Sequence, residues 1–208
     1  MKIFCVYTSM NDQKVFFSDK ERIEKNQALK ALAPVKAMSL EQVPAFFLIK
    51  GNRDKEVLKK QIGWAYSSIH NTMPRSPIGK VIITKGGIRD SLFKGTNRYK
   101  ASLYPILDKL IEKSIFLFDN TDFYGERQFV LGGKFSRCGE EEYVEYVGIV
   151  IRIDSRGNKY YSHTIYQKNN RKAQGVPDNQ GLTQKLHPAV YNILHEILSV
   201  NSKPEGQP

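Results

Sequence analysis

Tyr143-Val144-Glu145-Tyr146-Val147-Gly148-Ile149-Val150-Ile151-Arg152-Ile153, then Asp154-Ser155-Arg156-Gly157-Asn158, then Lys159-Tyr160-Tyr161-Ser162-His163-Thr164-Ile165-Tyr166-Gln167, reads as strand, turn and strand. Both long runs are rich in β-branched and aromatic residues. Arg156-Gly157-Asn158 between them is turn chemistry that suits a tight hairpin. Two further β-type runs precede this pair, Ile115–Phe118 and Gln128–Leu131. Before them, Leu103, Ile106, Leu107, Leu110 and Ile111 recur at helical spacing. Pro105 inside that pattern means that the helix starts near Tyr104 or kinks there. A helix followed by an antiparallel meander defines an α+β fold, with helices packed on one face of a four-stranded antiparallel sheet.

Working outward, Ile3–Tyr7 and Val15–Phe17 flank Asn11-Asp12 as a strand or hairpin. Ser18-Asp19-Lys20-Glu21 is a capping-box pattern opening a polar helix that Pro34 ends. Asp54 opens a second helix with Val57, Leu58, Ile62, Ala65, Tyr66 and Ile69 on one stripe. Asn71 to Pro77 holds two prolines and reads as a turn. Lys80–Thr84 reads as a short strand closed by Gly86-Gly87, and Arg89 to Arg98 as a polar connection carrying Ser91 and Lys94. Residues 169–184 read as a polar loop, and Pro188 starts a last helix with Val190, Ile193, Leu194, Ile197 and Leu198 on its apolar face. The expected organisation is a small N-terminal α/β extension over residues 1–75 and an α+β core over 76–168. A loop and C-terminal amphipathic helix over 169–200 and a disordered tail over 201–208 complete it.

The chain has 208 residues, 40% of them hydrophobic and 25% charged, as expected for a folded globular protein. Thirty-two Lys and Arg against 21 Asp and Glu give a net charge of +11, which favours an anionic partner, with nucleic acid first. No window has the apolar length of a membrane span, and the N-terminus lacks the pattern of a signal peptide. Cys5 and Cys138 are too few and too far apart for a disulfide framework or a zinc site, so a reducing cytosol is the expected compartment. The GxxxxGK[ST], HExxH, paired CxxC and GxSxG signatures are absent, and no cofactor is expected.

Candidate chemistry therefore rests on softer patterns. Glu140-Glu141-Glu142 beside Gly139 reads as a solvated acidic loop. His70, His187 and His195 read as structural, at helix ends or on a polar helix side. His163 differs, because it lies in a strand crowded with hydroxyls and rings. Strict alternation would place Tyr161, His163 and Ile165 on one face and Tyr160, Ser162, Thr164 and Tyr166 on the other. Cations gather in three groups: Lys80, Lys85, Arg89, Lys94, Arg98 and Lys100; then Arg127, Lys134 and Arg137; then Arg152, Lys159, Lys168, Arg171 and Lys172. Tyrosines interleave with them, and RNA is read by cations on phosphate and aromatic faces on unstacked bases.

Gly79-Lys80-Val81-Ile82-Ile83-Thr84, then Gly87-Ile88-Arg89-Asp90-Ser91, then Lys100 ahead of Leu107-Asp108-Lys109-Leu110-Ile111, lead into the β-runs and a closing Tyr-Tyr-Ser-His. This order resembles the phage- and mobile-element-associated nuclease-like domains of the barnase–EndoU–colicin–RelE group, including those of large polyvalent phage proteins. The likeness spans a little over half the chain. It implies a toxin-like or mobile-element effector that cleaves RNA without a metal, by attack of a ribose 2′-hydroxyl to give a cyclic phosphate. A cognate inhibitor or another protein partner, and delivery into another cell, would follow from the same likeness. Residue by residue it points to Ser91, Lys100, His163 and Thr164 as catalytic. Where many relatives have a His shortly after the Ser, this chain has Leu92-Phe93-Lys94, which shifts that role to Lys94. His163, with an unperturbed pKa near 6.5, is the expected proton-transfer group. Lys85, Lys94 and Lys100, with Arg127 or Arg152, would stabilise the phosphorane, and Ser91 and Thr164 would orient the phosphate. Arg89, Arg98, Tyr161, Tyr166 and Lys168 complete the expected substrate contacts. The alternatives are a binding module that grips nucleic acid without cutting it, and an effector acting through a protein partner.

Overall fold

The structure is a computed structural model that describes residues 18–48, 55–69, 72–93, 98–121 and 125–166. The expected N-terminal hairpin, Lys94, Lys168, His70, His187, His195 and everything beyond 166 lie outside the described residues. The chain is α+β, and its elements run α1 (Asp19–Ala31), β1 (Val35–Ala37), α2 (Lys55–Ile69), β2 (Arg75–Ser76) and β3 (Gly79–Lys80). There follow α3 (Lys85–Phe93), α4 (Arg98–Ala101), α5 (Leu107–Glu112), β4 (Ile115–Thr121), β5 (Arg127–Arg137), β6 (Glu140–Ile153) and β7 (Lys159–Ile165).

The capping box that opens α1 forms as the sequence predicts. Ser18 Oγ accepts from the Glu21 backbone N–H, and the Glu21 carboxylate accepts from the Ser18 N–H at 2.9 Å. At the far end, Lys134 donates to the Lys30 carbonyl at 2.8 Å, placing a cation on the negative end of the helix. α2 carries its expected stripe inward, with Ile62, Ala65 and Ile69 buried. Its Gly63 is exposed, and a side chain there would meet nothing within 4 Å. Gly63→Ala should therefore stabilise the protein by about 0.5–1 kcal/mol, the helix-propensity difference, in a denaturant titration.

β4, β5, β6 and β7 form the expected antiparallel meander, but the sheet has a fifth, parallel strand. β5 shares its outer edge between β4, which pairs with Arg127–Gly132, and β1, which pairs with Phe135–Arg137. A three-residue strand with its partner a hundred positions away leaves no mark in a local pattern. The turn before β7 is as expected: the Asp154 carboxylate accepts from the backbone N–H groups of Arg156 and Asn158 at 2.9 and 2.8 Å. Gly157 supplies the positive φ of 80° that this turn needs. Glu140 to Glu142 belong to β6 and not to a loop.

Three further expectations are corrected. Arg89 is not in a polar connection; Lys85–Phe93 is α3, which buries Ile88, Ser91 and Leu92 at helical spacing. The Lys80–Thr84 run is β3 plus a single parallel bridge from Ile82 to Tyr160. The sheet is also covered on both faces. One cluster joins Val147, Ile149, Ile151, Leu131, Phe135 and Tyr161 to α2, α3 and α5. A second joins Leu117, Phe118, Val130, Val150 and Ile165 to Leu29 of α1. Gly132 and Gly133 mark the two approaches: a Cβ on the first would stand 2.9 Å from Leu29, and on the second 3.6 Å from Leu110. Burial on both faces explains why β6 reads Val147 to Ile151 as a continuous apolar run. Residues 19–69 thus contribute β1 to the sheet itself and α1 and α2 to the layers that cover it.

Trp64 packs edge-on against the fully buried Phe47, with ring centres 5.0 Å apart, and Phe47 in turn touches Tyr104 at 6.0 Å. Pro105 sits in a tight turn, Tyr104–Ile106, and the helix proper begins at Leu107. Among the described residues no helix is long and apolar enough to cross a membrane.

Candidate active site

Two buried polar networks meet at α4, between α3 and the C-terminal end of β7. In the first, the Tyr161 hydroxyl donates to Ser91 Oγ at 3.0 Å and lies 2.9 Å from Thr164 Oγ1. Ser91 Oγ is 3.4 Å from the Tyr104 hydroxyl, and Lys100 Nζ donates to the Ser91 carbonyl at 3.3 Å. Ser91 is 0% exposed, Tyr161 1%, Thr164 4% and Lys100 5%. The tertiary structure thus brings together four residues singled out from the sequence: Ser91, Lys100, Tyr161 and Thr164.

The second network centres on Arg137, at 2% exposure one of the most deeply buried large side chains. Its Nε donates to Glu145 at 2.9 Å, one terminal nitrogen bonds Ser102 Oγ, and the other reaches the Tyr166 hydroxyl at 3.1 Å and the Tyr99 carbonyl at 3.5 Å. Tyr166 also donates to Glu145. The guanidinium lies over the rings of Phe135, Tyr99 and Tyr166 at 5.2, 5.3 and 5.5 Å. Tyr99, Lys100 and Ser102 are on or beside α4, so that short helix joins the networks. The second meets solvent through Glu145 and the half-buried Tyr166.

The sequence patterns above do not single out Glu145, and they place Arg137 only within a basic group. A signal for both was present. Glu145 is in phase with Val147, Ile149 and Ile151, and Arg137 with Gly133 and Phe135, so each charge continues an apolar, inward-facing stripe. A charge in such a stripe requires a buried partner.

His163 does not join these networks. A register shift in the β6–β7 ladder leaves Ser162 as an extra residue, so Tyr161 opposes Ile151 while His163 opposes Val150. Tyr161 and Thr164 therefore face α3, whereas His163 and Ile165 face α1, which corrects the strict alternation. His163 is 3% exposed, and its Nδ1 is 3.0 Å from Ser162 Oγ.

The other expected contacts are dispersed. Lys85 and Arg89 are exposed on α3, and Arg89 lies 3.6 Å from Asp90. Arg98 bonds the Leu40 carbonyl and lies 3.8 Å from Glu41, tying α4 to the loop after β1. Arg127 pairs with Asp119 at 3.4 Å and Arg152 with Glu126 at 3.0 Å. Both occupy the opposite end of the sheet from Arg137, about 30 Å away along β5.

Burial and the neighbouring Tyr104 push the Tyr161 hydroxyl well above the ordinary tyrosine range. Burial and the adjacent Glu145 do the same to Tyr166, against an opposing effect of Arg137. The folded chain therefore holds both protons more tightly than the unfolded chain. Their contribution to stability is complete below pH 10 and declines as pH rises past the unfolded tyrosine value. Denaturation midpoints measured through that range should fall less steeply with pH in Tyr161→Phe and in Tyr166→Phe than in the wild type.

No family model, curated protein or solved structure matches the chain.

Proposed function

We propose that the chain is an endoribonuclease of the metal-independent type, built on a barnase–EndoU–colicin–RelE-like scaffold in which β4–β7 are the antiparallel sheet. The observation that carries the reading is that α4 joins two buried polar networks, one of Lys100 with the hydroxyls of Ser91, Tyr161 and Thr164, the other of Arg137 and Tyr166 on the Glu145 carboxylate. Such a set supplies hydrogen-bond donors and positive charge for a phosphate, with a proton acceptor beside them.

In this mechanism the ribose 2′-hydroxyl gives its proton to Glu145 as its oxygen bonds to phosphorus. The bond from phosphorus to the 5′ oxygen breaks, and that oxygen takes the Tyr166 proton. Glu145 then returns a proton to Tyr166 through their hydrogen bond, which closes the cycle and leaves a 2′,3′-cyclic phosphate and a free 5′-hydroxyl. Lys100 and Arg137 offset the charge of the phosphorane, and Ser91 and Thr164 orient it. Tyr161 stays protonated and acts as a donor. Proton transfer is assigned to Glu145 and Tyr166 in preference to His163, which faces α1.

A second reading, nucleic-acid binding without cleavage, is favoured by the burial of Ser91, Lys100 and Arg137 beneath the helices. The two separate in one assay on end-labelled RNA in EDTA. Cleavage to cyclic-phosphate ends, slowed about 100-fold or more in Glu145→Gln and in Lys100→Ala, is the expected result. Intact RNA with a salt-sensitive shift would leave only the binding reading. Cleavage lost in His163→Ala but kept in Glu145→Gln would move proton transfer to the other face of the sheet.

A further inference from the structure

Cations that are far apart in the sequence meet along the edge of the molecule beside the start of β7. Arg75 and Lys80 stand directly opposite each other in the two-pair ladder of β2 and β3. The chain then reaches Ile82, whose N–H and carbonyl bond to Lys159 and Tyr161 at 2.8 and 3.0 Å. Lys159 Nζ comes to 3.7 Å from the point where a Cβ on Gly79 would lie. Arg75 and Lys80 are exposed and Lys159 is half-buried.

Like charges directly opposed across a ladder repel, and a nearby carboxylate would offset this. Among the described residues none forms an ion pair with Arg75, Lys80 or Lys159. Elsewhere on the surface such pairs form, as in Lys59–Glu56, Lys109–Glu112 and Arg127–Asp119. The charge along this edge is therefore left for an external anion.

We infer that this edge is a docking surface for the phosphate backbone of single-stranded RNA. Each of these charges alone is screened within about 8 Å at physiological salt. A polyanion binds such a surface well, because every phosphate neutralised releases counterions. Continuity selects RNA over other polyanions. β7 leads from Lys159 straight to Tyr161 and Thr164, so a strand lying on this edge extends toward the polar networks described above. An anionic lipid surface would draw on the same charges and is the alternative in the test.

The choice of RNA rests on the proposed function, while binding through this edge is measured apart from cleavage. Binding of the full chain to a fluorescent 2′-O-methylated oligouridylate, which cannot undergo 2′-hydroxyl attack, is measured over a salt series. The triple variant Arg75→Gln/Lys80→Gln/Lys159→Gln is compared with Lys55→Gln/Lys59→Gln/Lys109→Gln, which removes the same net charge elsewhere. The edge variant should lower the slope of log K against log salt by about 2 and weaken binding about tenfold or more, beyond the control. Equal behaviour of the two triples overturns the inference. So does an effect of the edge variant on phosphatidylserine vesicles with none on the oligonucleotide. A chain that binds through this edge yet leaves unmodified RNA intact keeps the inference and removes the nuclease reading. Cleavage with an unaltered salt slope does the reverse.

Discussion

Gly87→Ala should destabilise the protein by about 3 kcal/mol in a denaturant titration, although the substitution lies inside a helix. Helix propensity alone predicts a gain of about 0.5–1 kcal/mol, as expected at Gly63. The sign is reversed at Gly87 by what faces it. A Cβ would overlap the carbonyl oxygen of Tyr161 and lie 3.2 Å from its carbonyl carbon, which are backbone atoms of β7. No rotamer change relieves such an overlap, so α3 must move off the sheet. Its displacement would also lengthen the bond from the Tyr161 hydroxyl to Ser91, now 3.0 Å. If Gly87→Ala proved as stable as the wild type, α3 would not rest on β7, and the convergence of Ser91 with Tyr161 and Thr164 would fall with it.

Arg137→Met should cost about 3–5 kcal/mol, because it strands a carboxylate in a site built around a cation. Glu145 would keep the Tyr166 hydroxyl but lose the guanidinium now 2.9 Å away, and Ser102 would lose its charged donor. Arg137→Met with Glu145→Met should recover most of that loss, since apolar replacement of a whole buried pair is often close to neutral. The double-mutant cycle gives the coupling directly. Equal stability of wild type and Arg137→Met would show that the pair is solvated and would remove the cation from the proposed site. Recovery of stability without recovery of RNA cleavage in the double variant would separate the structural role of this pair from its chemical one.

What was legible in the sequence was local. The capping box at Ser18, the α2 stripe, the Asp154–Asn158 turn and the four meander strands each depend on neighbours within a few residues. Errors arose where a residue's surroundings come from far along the chain. Two glycines make α3 look like a connection, yet Ile88, Ser91 and Leu92 carry the spacing of a helix that packs on β7. β1 is three residues long and takes its partner from β5. At the site, residue types were a better guide than faces. Ser91, Lys100, Tyr161 and Thr164 converge, while His163 is turned away by one extra residue at Ser162.

By itself the sequence determined the α+β class, the antiparallel meander and the net charge of +11, because periodicity, turn chemistry and composition are properties of short stretches or of simple sums. Only the tertiary structure decided which face His163 occupies, that the buried Arg137 pairs with the half-buried Glu145, and that Arg75 and Lys80 come together with Lys159. Strand register, the approach of a helix to a sheet and the pairing of charges are fixed by contacts between distant segments. No local pattern encodes them singly, and a shift of one residue in a strand exchanges its two faces.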